Sequence, residues 1–247
     1  MPRLGQHVLS DRRVIHRLCD YAEISQRDTV LEVGCGSGNI TGFLLDRARK
    51  VIGMEIDDKY FQDLQEKFRE EIENGKLVLL HGDALKLDFP PFNKFTSNIP
   101  YSVSSPLTFK LLQYNFEMAA VIYQKEFARR MVADPGSRDY SRLSVVIKSY
   151  CDPEFMESVP RGAFRPQPEV TSAIVRLAPR PQFKVKNREI FEEMVKFVFS
   201  RRRKMVGKSL SQWSKMRKIE LKIPGDLSKK RPEEIEPEIY AQLADSV

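Results

Sequence analysis

Along the first two thirds of the chain, short apolar runs of strand length alternate with longer segments whose apolar residues recur every three or four positions, the pattern of alternating strands and helices. Val14, Ile15, Leu18 and Tyr21 predict the buried side of a helix that Ser10-Asp11 caps. Thr29-Val30-Leu31-Glu32-Val33 reads as a buried strand running into Gly34-Cys35-Gly36-Ser37-Gly38, after which Asn39-Ile40-Thr41 opens a helix. Further strands are predicted at 51–54, 77–80, 94–97 and 118–123, with a helix over 59–73 whose Tyr60, Leu64 and Phe68 face the core. Beyond it, 104–112 and 141–150 read as helices, and 155–159 and 171–177 as strands. After Pro179-Arg180-Pro181 the pattern becomes helical, with 188–199, a basic run, and a last helix from 232 to about 243. The expected architecture is therefore a Rossmann-like α/β domain over residues 1–179 and a small helical domain over 180–247.

Four predicted strands end in residues suited to a nucleoside. Gly34-x-Gly36-x-Gly38 is neither a dinucleotide fingerprint nor a phosphate loop; a tight glycine turn there lets a ligand approach backbone, though such turns also serve simple packing. Glu55, 21 residues beyond Gly34 at the tip of the second strand, is placed to accept both hydroxyls of a ribose. Asp83 after the third strand is either an acceptor for an adenine amine or a turn aspartate. The fourth delivers Asn98-Ile99-Pro100-Tyr101: a side-chain acceptor, a carbonyl that the following proline biases out of a regular ladder, and a flat ring. The bland reading of that tetrapeptide is a strand end in turn residues. In the loop 161–168, Pro166 and Pro168 stiffen the chain, so that Phe164 is either presented for stacking on a base or anchored in the core.

Composition narrows the setting. The chain has 247 residues, 41% of them hydrophobic, and no apolar run near the ~20 residues of a membrane span; a cytoplasmic protein is expected. Cys19, Cys35 and Cys151 form neither a disulfide framework nor, with the three histidines, a metal-ligand spacing, so no metal is expected. The net charge of +7 is unevenly spread: residues 196–231 hold 13 basic side chains against Glu220 and Asp226, a local +11 that leaves −4 elsewhere. Such a segment, with Arg201, Arg202, Arg203, Lys204 and Lys208, is expected to neutralise nucleic-acid phosphates, the alternative being a solvated helical face.

Taken together, Gly5-Gln6-His7-Val8-Leu9, the 32–38 turn, Glu55, Gly82-Asp83-Ala84, Asn98-Ile99-Pro100-Tyr101, Phe164 with Val170-Thr171-Ser172-Ala173, and Arg201-Arg202-Arg203-Lys204 resemble the ribosomal RNA small-subunit adenine N6,N6-dimethyltransferases over nearly the whole chain. Val8 and Met205 depart from the commoner Phe and Leu, both apolar exchanges. The resemblance implies S-adenosyl-L-methionine as methyl donor, held by His7, Leu9, Gly34, Glu55, Asp83 and Asn98, with the leader at His7 and Leu9 acting as a lid. It implies an adenine at Asn98, Ile99, Pro100, Tyr101 and Phe164: Asn98 and the Ile99 carbonyl accept the N6 hydrogens, and the two rings clamp the base. The implied partner is small-subunit ribosomal RNA in a pre-ribosomal particle, met by a monomer without a membrane. Large-subunit RNA, DNA adenine or a glutamine side chain are competing targets of the same architecture, and a non-catalytic ribosome assembly factor is the competing class.

Overall fold

The computed structural model describes residues 7–247; Gly5 and Gln6 of the leader motif lie outside the described residues. In chain order the elements begin with β1 (Val8–Leu9), α1 (Arg12–Tyr21), β2 (Thr29–Val33), α2 (Asn39–Arg47), β3 (Lys50–Glu55), α3 (Asp58–Lys67), α4 (Arg69–Glu73), β4 (Leu77–His81) and β5 (Lys94–Asn98). They continue with α5 (Ser104–Leu111), β6 (Met118–Gln124), α6 (Lys125–Val132), α7 (Arg142–Lys148), β7 (Asp152–Val159), β8 (Phe164–Arg165) and β9 (Ser172–Ala178). The C-terminal helices are α8 (Arg188–Phe199), α9 (Val206–Arg217), α10 (Gly225–Ser228) and α11 (Pro237–Asp245).

The first compact unit comprises residues up to Ala128 together with Glu154–Pro179. Its sheet has the order β4-β3-β2-β5-β6-β9-β7. β4, β3, β2, β5 and β6 run parallel and β9 is antiparallel to β6. From β2 the chain builds outward first through β3 and β4, then on the other side through β5 and β6. That reversal opens a crevice at the carboxyl ends of β2 and β5, where open α/β sheets bind ligands. β1 and β8 form a separate antiparallel pair, with Leu9 opposite Phe164.

Local chemistry accounts for the element boundaries. Asp11 caps α1 by accepting from the Arg13 and Val14 amides, and Asp57 caps α3 the same way at Lys59 and Tyr60. Gly38 begins α2 with a left-handed φ of 76°, and a Cβ there would sit 2.6 Å from the Phe68 ring; both the backbone and the neighbour require glycine. The helix expected over 59–73 is interrupted at Phe68 (φ −115°, ψ 34°), whose buried ring fills the space beneath Gly38.

The second unit comprises Arg129–Pro153 and Arg180–Val247. Residues 129–153, expected in the first domain, pack instead with the C-terminal helices. Every residue of α7 from Leu143 to Lys148 is buried, so this helix is central to a helical core. Tyr140 donates to the Ile235 carbonyl at 2.9 Å, and the buried Lys148 ammonium reaches Asp134 at 2.8 Å and the Ala133 carbonyl at 3.0 Å. The unanticipated α9 buries Val206, Leu210 and Trp213, and the Trp213 indole donates to Glu193 on α8 at 3.1 Å.

Candidate active site

A cleft of about 1120 Å³, counted to its open mouth, lies at the crevice of the first unit. His7, Leu9, Gly34, Glu55, Asp83 and Asn98 all line it, as do Ile99, Pro100 and Tyr101. The expected donor residues and four of the five expected adenine residues thus converge on one space, because most of them terminate or follow a strand of one sheet.

The glycine turn carries φ values of 75° at Gly34, 53° at Gly36 and 76° at Gly38, conformations open to glycine at little cost. The turn folds back on the Glu55 carboxylate: the Gly36 amide donates to Oε2 at 2.7 Å, and the Ile56 and Asp57 amides both donate to Oε1 at 2.9 Å. Three backbone donors fix this carboxylate on the cleft wall. Asp83 is fixed more lightly, accepting the Leu85 amide at 2.9 Å. Beneath the turn, Glu32 is fully buried; the Thr41 hydroxyl donates to its Oε2 at 2.7 Å, and among the described residues its Oε1 has no hydrogen-bond partner. Burial pushes the Glu32 carboxyl up to about 7, against the opposing pull of the Thr41 hydroxyl.

Asn98 is held from the leader. Its amide nitrogen donates to the His7 carbonyl at 2.7 Å. A carbonyl can only accept, so the amide's orientation follows from its partner. The Oδ1 atom is left over as an acceptor, and no group among the described residues donates to it. The next turn closes from the Val103 amide to the Pro100 carbonyl at 3.1 Å, which leaves the Ile99 carbonyl out of that bond. Tyr101 is fixed by a 2.7 Å hydroxyl–hydroxyl bond to the fully buried Ser172 on β9. Burial raises its phenol above the ordinary range, so it stays protonated and able to hold that bond.

The leader is tied down at three further points. Asn39 donates to the Leu9 carbonyl at 2.8 Å, the His7 ring donates to the Pro166 carbonyl at 2.9 Å, and β1 pairs with β8. Val8 rests against the turn, its methyl 3.8 Å from where a Cβ on Gly36 would lie. The arrangement fits S-adenosylmethionine: an apolar cleft with Ile56 and Leu85 on its walls, a fixed carboxylate for hydroxyls, and a glycine turn that admits close approach.

Phe164 corrects the expectation of a presented ring. It is fully buried in the core cluster with Leu9, Ile122 and Ile174, and it is absent from the cleft lining. The cause is the pairing of β8 with β1, which turns the residue inward opposite Leu9. Tyr60, expected in the core from its helical spacing, is half-buried and lines the cleft. Asn39 and Ser172, which anchor the leader and Tyr101, carry no local signal for those roles, since each acts on a partner distant in sequence.

In the second unit the basic run is unequal. Arg202 is committed internally, donating to the Arg138 carbonyl at 3.0 Å and lying 3.5 Å from Glu233. Arg201 stacks over the Phe197 ring at 3.9 Å. Arg203, Lys204 and Lys208 are exposed.

Comparison with known proteins agrees with this geometry. Residues 1–244 match the model of the family described as ribosomal RNA adenine dimethylase. A protein of Methanosarcina acetivorans named probable ribosomal RNA small subunit methyltransferase A is 45% identical over 246 residues, covering 97% of this chain and 90% of that one. A Pyrococcus furiosus protein of the same name is 42% identical over 250 residues, covering 98% and 89%. Among solved structures, a dimethyladenosine transferase from Plasmodium falciparum superposes with a TM-score of 0.81 at 31% identity, covering 96% of each chain. The 23S rRNA methyltransferase ErmE superposes at 0.72 and 30% identity, covering 96% of this chain and 98% of that one. With the leader, glycine turn, strand-tip acids and Asn98-Ile99-Pro100-Tyr101 lining one cleft, and a family model spanning 244 residues, the chain belongs to the ribosomal RNA adenine dimethylase family.

Proposed function

We propose that this protein transfers methyl groups from S-adenosylmethionine to N6 of adenines in small-subunit ribosomal RNA, giving N6,N6-dimethyladenosine during assembly of the particle in the cytoplasm, and that it acts as a monomer. The observation that carries the reading is Asn98, whose nitrogen is engaged by the His7 carbonyl so that its oxygen is left as an acceptor at the cleft.

An adenine amine is a poor nucleophile because its lone pair is delocalised into the ring. Asn98 Oδ1 and the Ile99 carbonyl accept its two hydrogens, which favours a pyramidal nitrogen with its lone pair turned toward the donor. Tyr101, held by Ser172, offers its face to the base once the base has left its neighbours in the RNA. S-adenosylmethionine supplies an electrophilic methyl carried on a positively charged sulfur. The attacking nitrogen becomes acidic on alkylation and loses its proton to water, so the protein's contribution is positioning rather than general base catalysis.

Large-subunit RNA is the second reading, favoured by the likeness to the 23S rRNA methyltransferase ErmE at 30% identity; the 45% and 42% identities to proteins named for the small subunit outweigh it. The test is to incubate the protein with labelled donor and immature small subunits, digest the RNA and identify the product by mass spectrometry. Dimethyladenosine in small-subunit RNA is expected. Label in large-subunit RNA or in protein, or saturable donor binding with no transfer to any RNA, would overturn the reading.

A further inference from the structure

Tyr60 lines the cleft, and the reaction described above makes no use of it. It stands in the first turn of α3, half-buried, and its hydroxyl bonds to no group among the described residues. A stripe of Tyr60, Leu64 and Phe68 at four-residue steps would ordinarily be core throughout. Leu64 and Phe68 are buried against the glycine turn, where a Cβ on Gly38 would lie 2.7 and 2.6 Å from their side chains. Tyr60, one helical turn nearer the start of α3, lies past the end of that packing and opens onto the cleft instead.

The helix that carries it is held on two flanks. Lys67 donates to the Ser37 carbonyl of the glycine turn at 2.9 Å, and the cap residue Asp57 gives its amide to Glu55 at 2.9 Å. On the other flank the His81 ring, at the tip of β4, stacks on Phe61 with 4.5 Å between centroids and lies 3.1 Å from the Asp58 carboxylate. Tyr60 is therefore presented from a fixed backbone, five residues after Glu55 and on the same cleft wall.

The other hydrogen-bond donors around Glu55 are already spent. The Gly36, Ile56 and Asp57 amides all go to its carboxylate, and the His81 ring is engaged by Asp58. A ribose hydroxyl that donates to Glu55 keeps oxygen lone pairs as acceptors, and a phenol O–H is a donor suited to them. The amino-acid carboxylate of S-adenosylmethionine is the other group a phenol could take, but it would stand close to the Glu55 carboxylate, where like charges repel.

We propose that the Tyr60 hydroxyl donates to a ribose hydroxyl oxygen of S-adenosylmethionine. The sugar is then held by an acceptor on β3 and a donor on α3, and an analogue lacking that hydroxyl leaves both groups unpaired and is rejected. The inference deepens the proposed function and rests on the reading of Glu55 as the ribose acceptor.

The test compares the wild type with Tyr60→Phe, which keeps the ring and deletes a hydroxyl that has no partner among the described residues, so that unfolding curves are expected to coincide. Calorimetric titration uses S-adenosylhomocysteine, its 2′-deoxy and 3′-deoxy analogues, and 5′-methylthioadenosine, which keeps the ribose and lacks the amino-acid carboxylate. Tyr60→Phe is expected to bind S-adenosylhomocysteine and 5′-methylthioadenosine about 2- to 12-fold more weakly, and to match the wild type on the deoxy analogue that lacks the partner hydroxyl. Unchanged affinity for S-adenosylhomocysteine would overturn the proposal, as would an equal loss on both deoxy analogues. A loss absent from 5′-methylthioadenosine would also overturn it and assign the phenol to the carboxylate. Wild type that binds the deoxy analogues as tightly as S-adenosylhomocysteine contradicts the ribose reading of Glu55 itself, whereas discrimination by the wild type with no loss in Tyr60→Phe contradicts the role of Tyr60 alone.

Discussion

The amide nitrogen of Asn98 donates to the backbone carbonyl of His7 at 2.7 Å, a bond across 91 residues that joins the strand tip expected to hold the target amine to the leader over the cleft. It orients Asn98 and it retains His7. One side chain therefore serves both halves of the site.

Asn98→Asp separates these roles. The carboxylate keeps an acceptor on the cleft but sets a second acceptor against the His7 carbonyl, so the leader loses its anchor at that point. Losing a hydrogen bond and leaving its partner unsatisfied costs about 1–3 kcal/mol. Calorimetric titration is expected to show S-adenosylmethionine bound about 5- to 150-fold more weakly; an unchanged affinity would show that the bond does not hold the leader over the donor.

Tyr101 has a ring proposed to stack on the base and a hydroxyl that, among the described residues, bonds to Ser172. Tyr101→Phe keeps the stacking face, and kcat/KM on small-subunit RNA is expected to stay within about fivefold of wild type, whereas Tyr101→Ala removes a stack worth about 1–3 kcal/mol and is expected to lower it about 5- to 150-fold. Equal losses in the two variants would assign the role to the hydroxyl instead.

Phe164 is a core residue in this structure, so Phe164→Ala is expected to cost about 3–5 kcal/mol of stability in denaturant unfolding. A variant of normal stability with weakened RNA turnover would restore the stacking role suggested by the sequence.

Glu32 predicts a dependence of stability on pH. Its folded carboxyl titrates at about 7 against an ordinary value of 4.5, so between those values the folded chain holds a proton that the unfolded chain has lost. Stability therefore falls as pH rises from about 4.5 to about 7, by on the order of 3 kcal/mol from this group. Glu32→Gln keeps an acceptor for Thr41 and cannot titrate, so its unfolding curves are expected to lack that component; an identical pH slope in both proteins would show that Glu32 is not its source.

The strand tips were legible in the sequence because each is punctuated: Gly34 by a glycine series, Glu55 and Asp83 by an acid after an apolar run, and Asn98 by the proline two residues on. What stayed hidden depends on distant partners. The two-residue strand β1 is too short to show a period, and its partner lies more than 150 residues away, so the sequence left Phe164 open between a presented ring and a core anchor and gave no sign of the anchoring of Leu9 by Asn39. The α9 helix is hidden differently: Val206, Leu210 and Trp213 are correctly spaced for a helix face, but Lys208, Ser209, Ser211 and Gln212 between them dilute the apolar pattern. The membership of residues 129–153 in the helical unit likewise arises from tertiary packing, since α7 buries Ser144 and Lys148 along with its apolar residues and leaves no solvent-facing stripe to mark a boundary.

The most direct measurement is single-turnover methyl transfer by Asn98→Ala with both S-adenosylmethionine and immature small subunits saturating, so that weakened binding does not enter the rate. Removing the outward oxygen deprives the amine of one of its two acceptors in the transition state. By analogy with the loss of a single preorganised hydrogen-bonding group in other active sites, the rate is expected to fall by about 100- to 1000-fold. Transfer to N6 at the wild-type rate would contradict the account of Asn98 as the acceptor that activates the amine.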